Sequence, residues 1–312
     1  MIKTYCFKLY KSKQNKYLVR AIELAAEIYN HCIALHKRYY KLYNIYLGKF
    51  KLQAHIAGLK KTKKYAHWNN LHSQAIQDVT DRIDNAYKLF FRNIRHGVKT
   101  APPSFKRRGK YKSFTLKNRG HRLLEDNAVI IAGRKYRFFK SREIEGKVKT
   151  ATVKRDILKD IYIYFVCETD DAGSEIRERT GKIVEFDIGL KPYLRASDKK
   201  DIATPLFFSR HRAAVKKLNR CFARKQRDSN ERKQVKQKLF KQQKKLANQR
   251  KDFQFKTARE LCKKYDAIYI EDVDRKTLKK RYGKKILDLA HGSFVSILKS
   301  QGAKYGAAVA EK

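Results

Sequence analysis

Acidic residues are scarce. The 312-residue chain holds 30 Asp and Glu against 76 Lys and Arg, a formal charge of +46. A chain this cationic repels itself when compact, so its expected partner is a polyanion, nucleic acid before an anionic membrane surface. Long apolar runs are also missing. No stretch reaches the roughly 18 residues that a membrane-spanning helix needs, so no membrane partner is expected. The opening Met1-Ile-Lys-Thr-Tyr-Cys6 has no apolar core of a secretory signal. The five cysteines (Cys6, Cys32, Cys167, Cys221, Cys262) lie far apart with no Cys-x-x-Cys. That excludes a zinc site by spacing and fits reduced thiols in the cytoplasm. What is present is 42% hydrophobic residues, enough for cores, in a chain long enough for two or three domains.

Ile2 to Tyr10 is rich in β-formers and predicts a strand. From Gln14 the pattern changes to steps of three and four. Leu18, Ile22, Ala25, Tyr29, Cys32, Leu35, Tyr39, Leu42 and Tyr46 make one stripe on a long helix. Tyr40 and Tyr43 lie beside it, where they pack on a neighbouring helix, sit exposed, or stack on bases. Lys60-Lys-Thr-Lys-Lys64, ahead of the single tryptophan Trp68, adds charge without specificity. A second helix is expected from about Leu71 to Ile94, burying Ile76, Val79, Ile83, Ala86, Phe90 and Ile94, with Gly97 to end it. Pro102-Pro-Ser-Phe-Lys-Arg-Arg-Gly109 and Lys110-Tyr-Lys-Ser-Phe-Thr115 then interleave cations with Tyr111 and Phe114. That mixture suits phosphate contact and base stacking through Lys106, Arg107, Arg108, Lys110, Tyr111 and Lys112. It suits equally a basic loop leading into a strand.

Short strands follow. Ala128 to Ala132 and Lys135 to Phe139 flank a Gly133-Arg134 turn, and Val148 to Arg155 pairs with Ile161 to Glu168. The expectation is a small β-barrel or sheet over residues 1–13 and 97–170, with residues 14–96 as a helical insertion. The polar residues 171–180 read as a linker, and 181–312 as a further domain.

That last part opens on Ile183, Val184 and Phe186, a short apolar run with Asp187 at its end. Gly189 allows a tight turn, and Tyr193 to Ser197 reads as a returning strand. More strand-like sequence runs to Pro205-Leu-Phe-Phe208. Alone, Asp187 reads first as a turn aspartate. Ala267-Ile-Tyr-Ile-Glu271 is a second apolar run ending in an acid. As parallel neighbours the two strands would bring Asp187 and Glu271 to one sheet edge, where two like charges call for a divalent cation. Between them, Arg210 to Lys256 carries eighteen Lys or Arg against three acids. Val215, Leu218 and Phe222, then Val235, Leu239, Leu246 and Phe253, predict an antiparallel helical hairpin over 210–265. Its turn, Asp228-Ser-Asn-Glu231, suits a capping box. With so few acids to pair, nucleic-acid contact is expected through Arg220, Arg224, Lys225, Arg227, Lys244, Lys245, Arg250 and Lys251, ahead of a merely solvated face. Ile286, Leu289, Phe294, Val295 and Leu298 suggest one more helix. An acid-bearing strand, returning strands, helices and a second acid-bearing strand is the order of an RNase H-like fold.

These motifs together resemble the TnpB/OrfB proteins of bacterial insertion sequences, relatives of the type V CRISPR effectors. The resemblance runs over nearly the whole chain. It rests on His72-Ser-Gln-Ala-Ile-Gln77, Ala86-Tyr-Lys-Leu-Phe-Phe91, Pro103-Ser-Phe-Lys106, Ser113-Phe-Thr115, Phe186-Asp-Ile-Gly-Leu-Lys191 and Ile268-Tyr-Ile-Glu-Asp272. The most specific run is Lys244-Lys-Leu-Ala-Asn-Gln-Arg-Lys-Asp-Phe253. The resemblance implies an α+β multidomain fold: an N-terminal wedge β-barrel with a helical recognition insertion, then an RNase H-like (RuvC) α/β domain carrying the basic hairpin. It implies Asp187 and Glu271 as the first two catalytic, metal-binding acids and Mg2+ as cofactor; beside them this chain offers Asp272 as an outer partner. It also implies a guide RNA from the transposon end and a double-stranded DNA target. Two motifs depart from the pattern: Glu185-Phe-Asp187 replaces Gly-x-Asp, and Pro192-Tyr193 replaces an Asn or Asp before an aromatic. After Lys304-Tyr-Gly306 the family's last strand, four zinc-binding cysteines and third acid do not follow, and Asp288 is not at that acid's motif. The expectation is therefore an incomplete RuvC-like domain with an open edge beside the Glu271 strand, no zinc site and impaired cleavage. A nucleic-acid-binding remnant without chemistry and an unstable pseudogene product stay open as alternatives.

Overall fold

The computed structural model describes residues 2–107, 109–117, 120–169, 178–205, 207–272, 277, 280, 283, 286 and 289–312. Arg108 and residues 171–177 of the expected linker lie outside them. The chain divides into two compact units, Met1–Asp170 and Asp171–Lys312.

In the first unit, β1 (Ile2–Lys8) pairs antiparallel with β7 (Ile161–Glu168), although three helices and five strands separate them in sequence. β7 pairs in turn with β6 (Lys147–Arg155), and β6 with β2 (Ser113–Leu116). Alternation explains β7: Ile161, Ile163, Phe165 and Cys167 are buried, and the residues between them are not. The turn ahead of it is fixed by Asp156, whose carboxylate accepts from the amides of Leu158 and Asp160 at 2.9 and 2.8 Å. A second antiparallel sheet comprises β3 (His121–Leu124), β4 (Ala128–Ile131) and β5 (Arg134–Arg137). Its β4–β5 turn falls one residue earlier than expected, on Ala132 and Gly133, both at positive φ (48° and 74°). That pair of left-handed residues suits the right-handed twist of a two-residue hairpin.

The helices of this unit are α1 (Asn15–Tyr43), α2 (Lys49–Leu59) and α3 (Ser73–Arg95), with a 3-10 helix at Lys63–Asn70. The stripe of α1 is buried from Leu18 to His36 and then runs out into solvent: Tyr39, Tyr40, Leu42 and Tyr43 are 36, 61, 62 and 61% exposed. Asn44, left-handed at φ 52°, ends the helix, so Tyr46 lies beyond it. α2 was not expected; with only Leu52 and Ile56 buried, its pattern is too short to stand out. α3 buries Ile76, Val79 and Ile83 as expected and adds Tyr87, while Ile94 is exposed. Asp78 ties α3 to β2 by accepting from the Thr115 amide at 2.8 Å and pairing with Arg82. Burial lifts the Asp78 carboxyl above its ordinary range, against the pull of Arg82.

In the second unit, β8 (Ile183–Ile188), β10 (Ala267–Ile270) and β11 (Ala308–Glu311) run parallel, and β9 (Leu194–Ala196) returns antiparallel on the far edge of β8. Val184, Phe186, Ile188, Ile268 and Ile270 form one buried face, in one cluster with Ala258, Leu261 and Cys262 of α5 (Asn230–Lys264) and Phe294 and Leu298 of α6 (His291–Tyr305). Each of the Val, Ile, Leu and Phe side chains among them contributes about 1.5–3 kcal/mol on burial. Two expectations need correcting. The second returning strand reduces to a single bridge from Ile202 to Leu194, because Phe207 already begins α4 (Phe207–Arg224). The edge of β10 is not open either: β11 covers it, with the Ala308 amide donating to the Asp266 carbonyl at 2.8 Å and the Lys312 amide to that of Ile270 at 2.9 Å.

Candidate metal and nucleic-acid sites

The parallel register of β8 and β10 sets the acids. Ile270 stands opposite Phe186, so Glu271 falls beside Asp187 one step further on. Adjacent strands lie about 4.8 Å apart. Phe186 and Ile188 point into the core, so Asp187 between them faces the opposite, exposed side of the sheet, and Glu271 follows directly after the end of β10. The Glu271 amide donates to the Phe186 carbonyl at 3.1 Å, and one carboxylate oxygen of Glu271 accepts from the Ile188 amide at 3.2 Å. That bond holds the Glu271 carboxylate against the end of β8. Asp187 is exposed. Its antiparallel partner across β9 is Arg195, exposed on the same face, which the sequence reading missed. Only the hairpin register discloses it. Asp272 follows outward, its amide donating to the Lys312 carbonyl at 2.8 Å.

Behind the acids lies a buried polar network. His291 is 4% exposed, stacks on Tyr193 with centroids 4.4 Å apart, and its Nε2–H donates to the Gly189 carbonyl at 3.2 Å. Burial pushes its imidazole down to about 4. The Gln254 amide of α5, 1% exposed, donates to the Tyr193 hydroxyl at 3.2 Å and to the carbonyls of Leu289 and Ala290, both at 3.1 Å. The turn after Asp187 is thus pinned from α5 and α6. Gly189 is required there, because a Cβ would stand 2.6 Å from the Pro192 carbonyl oxygen. Two carboxylates at adjacent strand ends offer hard oxygen ligands, and the donor set fits a divalent cation. Among the described residues no group of three or more His, Cys, Asp or Glu gathers at one point.

The basic residues divide. Lys106, Arg107 and Lys110 are exposed, whereas Lys112 is half-buried. Tyr111 is 7% exposed, with its ring 5.5 Å from that of Tyr29 and the Arg82 guanidinium 5.7 Å from its centroid; Phe114 is 2% exposed. Tyr111 is therefore a core residue and not a stacking platform: the alternation of aromatics and cations is that of a chain entering β2 with one side inward. In the hairpin, α4 and α5 pack along half-buried Val215, Leu218, Phe222 and Val235 with buried Leu239. His211 bonds across to Gln249 at 2.6 Å. The cap of α5 is Ser229, whose Oγ accepts from the Arg232 amide at 3.1 Å. The expected capping box does not form: with Ser229 and not Asp228 as the cap, the third helical position is Arg232, and Glu231, one short of it, pairs with Lys225 at 2.6 Å. Arg220, Arg224, Arg227, Lys245 and Lys251 are exposed; Lys225, Lys244 and Arg250 are half-buried. An open groove along α4 is lined by Ala213, Lys216, Lys217, Arg220, Cys221, Arg224 and Lys225. No helix of the described residues is long and apolar enough to cross a membrane.

Comparison with known proteins follows the same residues. Residues 164–282 match the family profile OrfB_IS605, described as "Probable transposase". The chain is 25% identical over 248 residues to the "Putative RNA-guided DNA endonuclease InsQ" of Escherichia coli K12, covering 79% of this chain and 60% of that one. It is 24% identical over 257 residues to a "Putative RNA-guided DNA endonuclease" of Streptomyces pristinaespiralis, covering 79% and 61%. The chain thus spans about three fifths of the length of these relatives. Among solved structures, the Cas12f1–sgRNA–target DNA complex aligns over 100% of this chain and 85% of that chain at 12% identity, with a TM-score of 0.34. Over residues 164–282 the chain is thus similar to the OrfB_IS605 transposase family, and over about four fifths of its length to curated RNA-guided DNA endonucleases.

Proposed function

We propose that this chain acts in RNA-guided, metal-dependent cleavage of double-stranded DNA, as a TnpB-type protein of an insertion sequence. The observation that carries the reading is the parallel pairing of β8 with β10, which brings Asp187 and Glu271 to the ends of adjacent strands, with the Glu271 carboxylate bonded to the Ile188 amide next to Asp187. In this reading residues 1–13 and 97–170 are a wedge barrel and 14–96 the recognition insertion. Residues 181–312 are a RuvC-like domain. Asp187 and Glu271 hold Mg2+, with Asp272 outside them. A bound divalent cation supplies positive charge against a phosphodiester and polarises its ligands. Arg195 binds a phosphate oxygen beside Asp187, and the Gln254–Tyr193–His291 network keeps the turn after Asp187 in place. The cationic faces of α4 and α5 track the backbone of a guide RNA transcribed from the transposon end, with Lys106, Arg107 and Lys110 adding contacts in the first unit.

The test uses the full chain with RNA that co-purifies with it, and Asp187→Ala and Glu271→Ala variants. Mn2+ titration followed by electron paramagnetic resonance is expected to lose high-affinity binding in either variant. RNA affinity is expected to stay within about twofold, since neither acid is one of the cations proposed to meet the RNA backbone. Cutting of DNA matching that RNA should fall by a hundredfold or more in both. Wild-type chain that holds RNA but neither binds Mn2+ nor cuts would establish a binding protein without chemistry. Absence of any RNA would refute the reading as a whole.

A further inference from the structure

The last two turns of α1 carry an apolar face, Tyr39, Tyr40, Leu42 and Tyr43, that is left exposed among the described residues. Tyr40 and Tyr43 stand one helical turn apart, about 5 Å along the axis, and are each 61% exposed. Tyr39 stacks on Tyr43 at 5.5 Å. Phe50, 74% exposed, opens α2 just after the connecting loop. The backing is rigid. Tyr46 donates to Asp84 at 2.6 Å and its ring centroid lies 5.2 Å from that of His36, while Asn44 closes α1 on the Tyr40 carbonyl.

Charge decides what fits. Residues 28–77 contain no Asp or Glu, fifty residues in all. Lys37 lies 4.5 Å over the half-exposed Phe105 ring, and Lys41 has no acidic partner among the described residues. A second copy of the chain docked here would oppose like charges, at +46 per chain. Exposed rings with unpaired lysines between them match unpaired nucleotides, whose bases stack on the rings while their phosphates meet the lysines. Three of the rings carry phenol hydroxyls that can bond a ribose 2′-hydroxyl.

We propose that the Tyr39–Tyr43 end of α1, with Phe50, is a stacking platform for unpaired RNA. It shares the RNA partner of the preceding proposal, but neither its acids nor its hairpin. The platform residues are exposed, so substituting them should leave the fold intact, which the melting of each variant checks.

The experiment is fluorescence anisotropy on the full chain with three probes: a 20-nucleotide oligouridine, the matching oligothymidine, and a 20-base-pair RNA duplex. Tyr40→Ala/Tyr43→Ala is expected to weaken oligouridine binding by about tenfold or more, and duplex binding by less than twofold. Lys37→Gln/Lys41→Gln is expected to lower the salt slope for oligouridine by about 1.4. Unchanged oligouridine affinity in the tyrosine variant would overturn the platform while leaving the hairpin reading standing, whereas a wild-type chain that binds none of the probes would sink both. Equal losses on duplex and single strand, or oligothymidine held as tightly as oligouridine, would also overturn it. So would a wild-type dimer in sedimentation that the tyrosine variant dissociates, since the patch would then be a protein interface.

Discussion

His36 makes the stability of the first unit depend on pH. It is 3% exposed, packed between the rings of Tyr46 and Tyr87 at 5.2 and 4.5 Å, and its Nε2 has no hydrogen-bond partner among the described residues. Burial pushes its imidazole from 6.5 down to about 4, outweighing the attraction of Asp84. The folded chain therefore keeps His36 neutral where the unfolded chain has already taken up a proton, and acid favours unfolding between those two values. From pH 7.5 to pH 4.5 the loss from this residue is about 2.5 kcal/mol. Asp84 acts elsewhere on the pH scale. Burial works to raise its carboxyl, but the bonds from Lys88 and Tyr46 bring it below its ordinary value, so its stabilisation is lost only at stronger acid. The assay is urea unfolding at the two pH values, followed by the fluorescence of Trp68, which lies in this unit. His36→Phe keeps an aromatic between the tyrosines and should remove about 2.5 kcal/mol of the pH dependence. A variant whose pH dependence stays within about 0.5 kcal/mol of wild type would show that His36 is not the group being titrated.

Three further outcomes are expected. Gln254→Leu keeps the volume but leaves the Tyr193 hydroxyl and the carbonyls of Leu289 and Ala290 without that donor; it should cost about 2–4 kcal/mol in chemical unfolding of the second unit. Gly189→Ala sets a Cβ 2.6 Å from the Pro192 carbonyl oxygen, so the turn must shift; a loss of about 1–3 kcal/mol and weaker Mn2+ binding are expected, and wild-type values for both would contradict the close approach. Replacing Lys216, Arg220 and Arg224 of the α4 groove with Gln should flatten the salt dependence of oligouridine binding by about 2 in log–log slope, and an unchanged slope would remove phosphates from that groove.

Local pattern made part of this structure legible. The alternation of Ile161 to Glu168 and the three- and four-residue steps of α3 are properties of contiguous sequence, and the elements formed where those patterns lie. The same holds for the two short runs that lead to Asp187 and Glu271, where Val184 and Phe186, then Ile268 and Ile270, fill one face of the sheet in alternation. What failed to show depends on contacts between distant residues. Arg195 is aligned with Asp187 by a hairpin register, and Gln254 and His291 reach the Gly189–Tyr193 turn from residues more than sixty positions away. At Tyr111 and Phe114 the sequence left two readings open, because a basic stacking loop and a half-buried strand entry share one alternating pattern; burial and, for Tyr111, packing against Tyr29 favour the strand entry. β11 has only Ala308, Val309, Ala310 and Glu311 to show, a weak β signal that pairing with β10 overrides.

Charge distribution gives the proposed RNA partner a testable consequence for stability. Of the three acids between Arg210 and Lys256, Glu231 pairs with Lys225 and Asp252 with Lys256. Most of the eighteen cations there have no carboxylate nearby in sequence, and exposed pairs of this kind contribute little in any case. Without nucleic acid, α4 and α5 hold their cationic faces together against mutual repulsion, and added salt screens that repulsion. With RNA bound, the phosphates supply the missing charge and stabilise the fold by mass action, about 2.7 kcal/mol at a hundred times the dissociation constant. Salt then weakens the complex by competing for those same contacts. Raising salt should therefore raise the melting temperature of the free chain and lower that of the RNA complex. A change of the same sign in both would mean that the hairpin cations are not what the RNA neutralises.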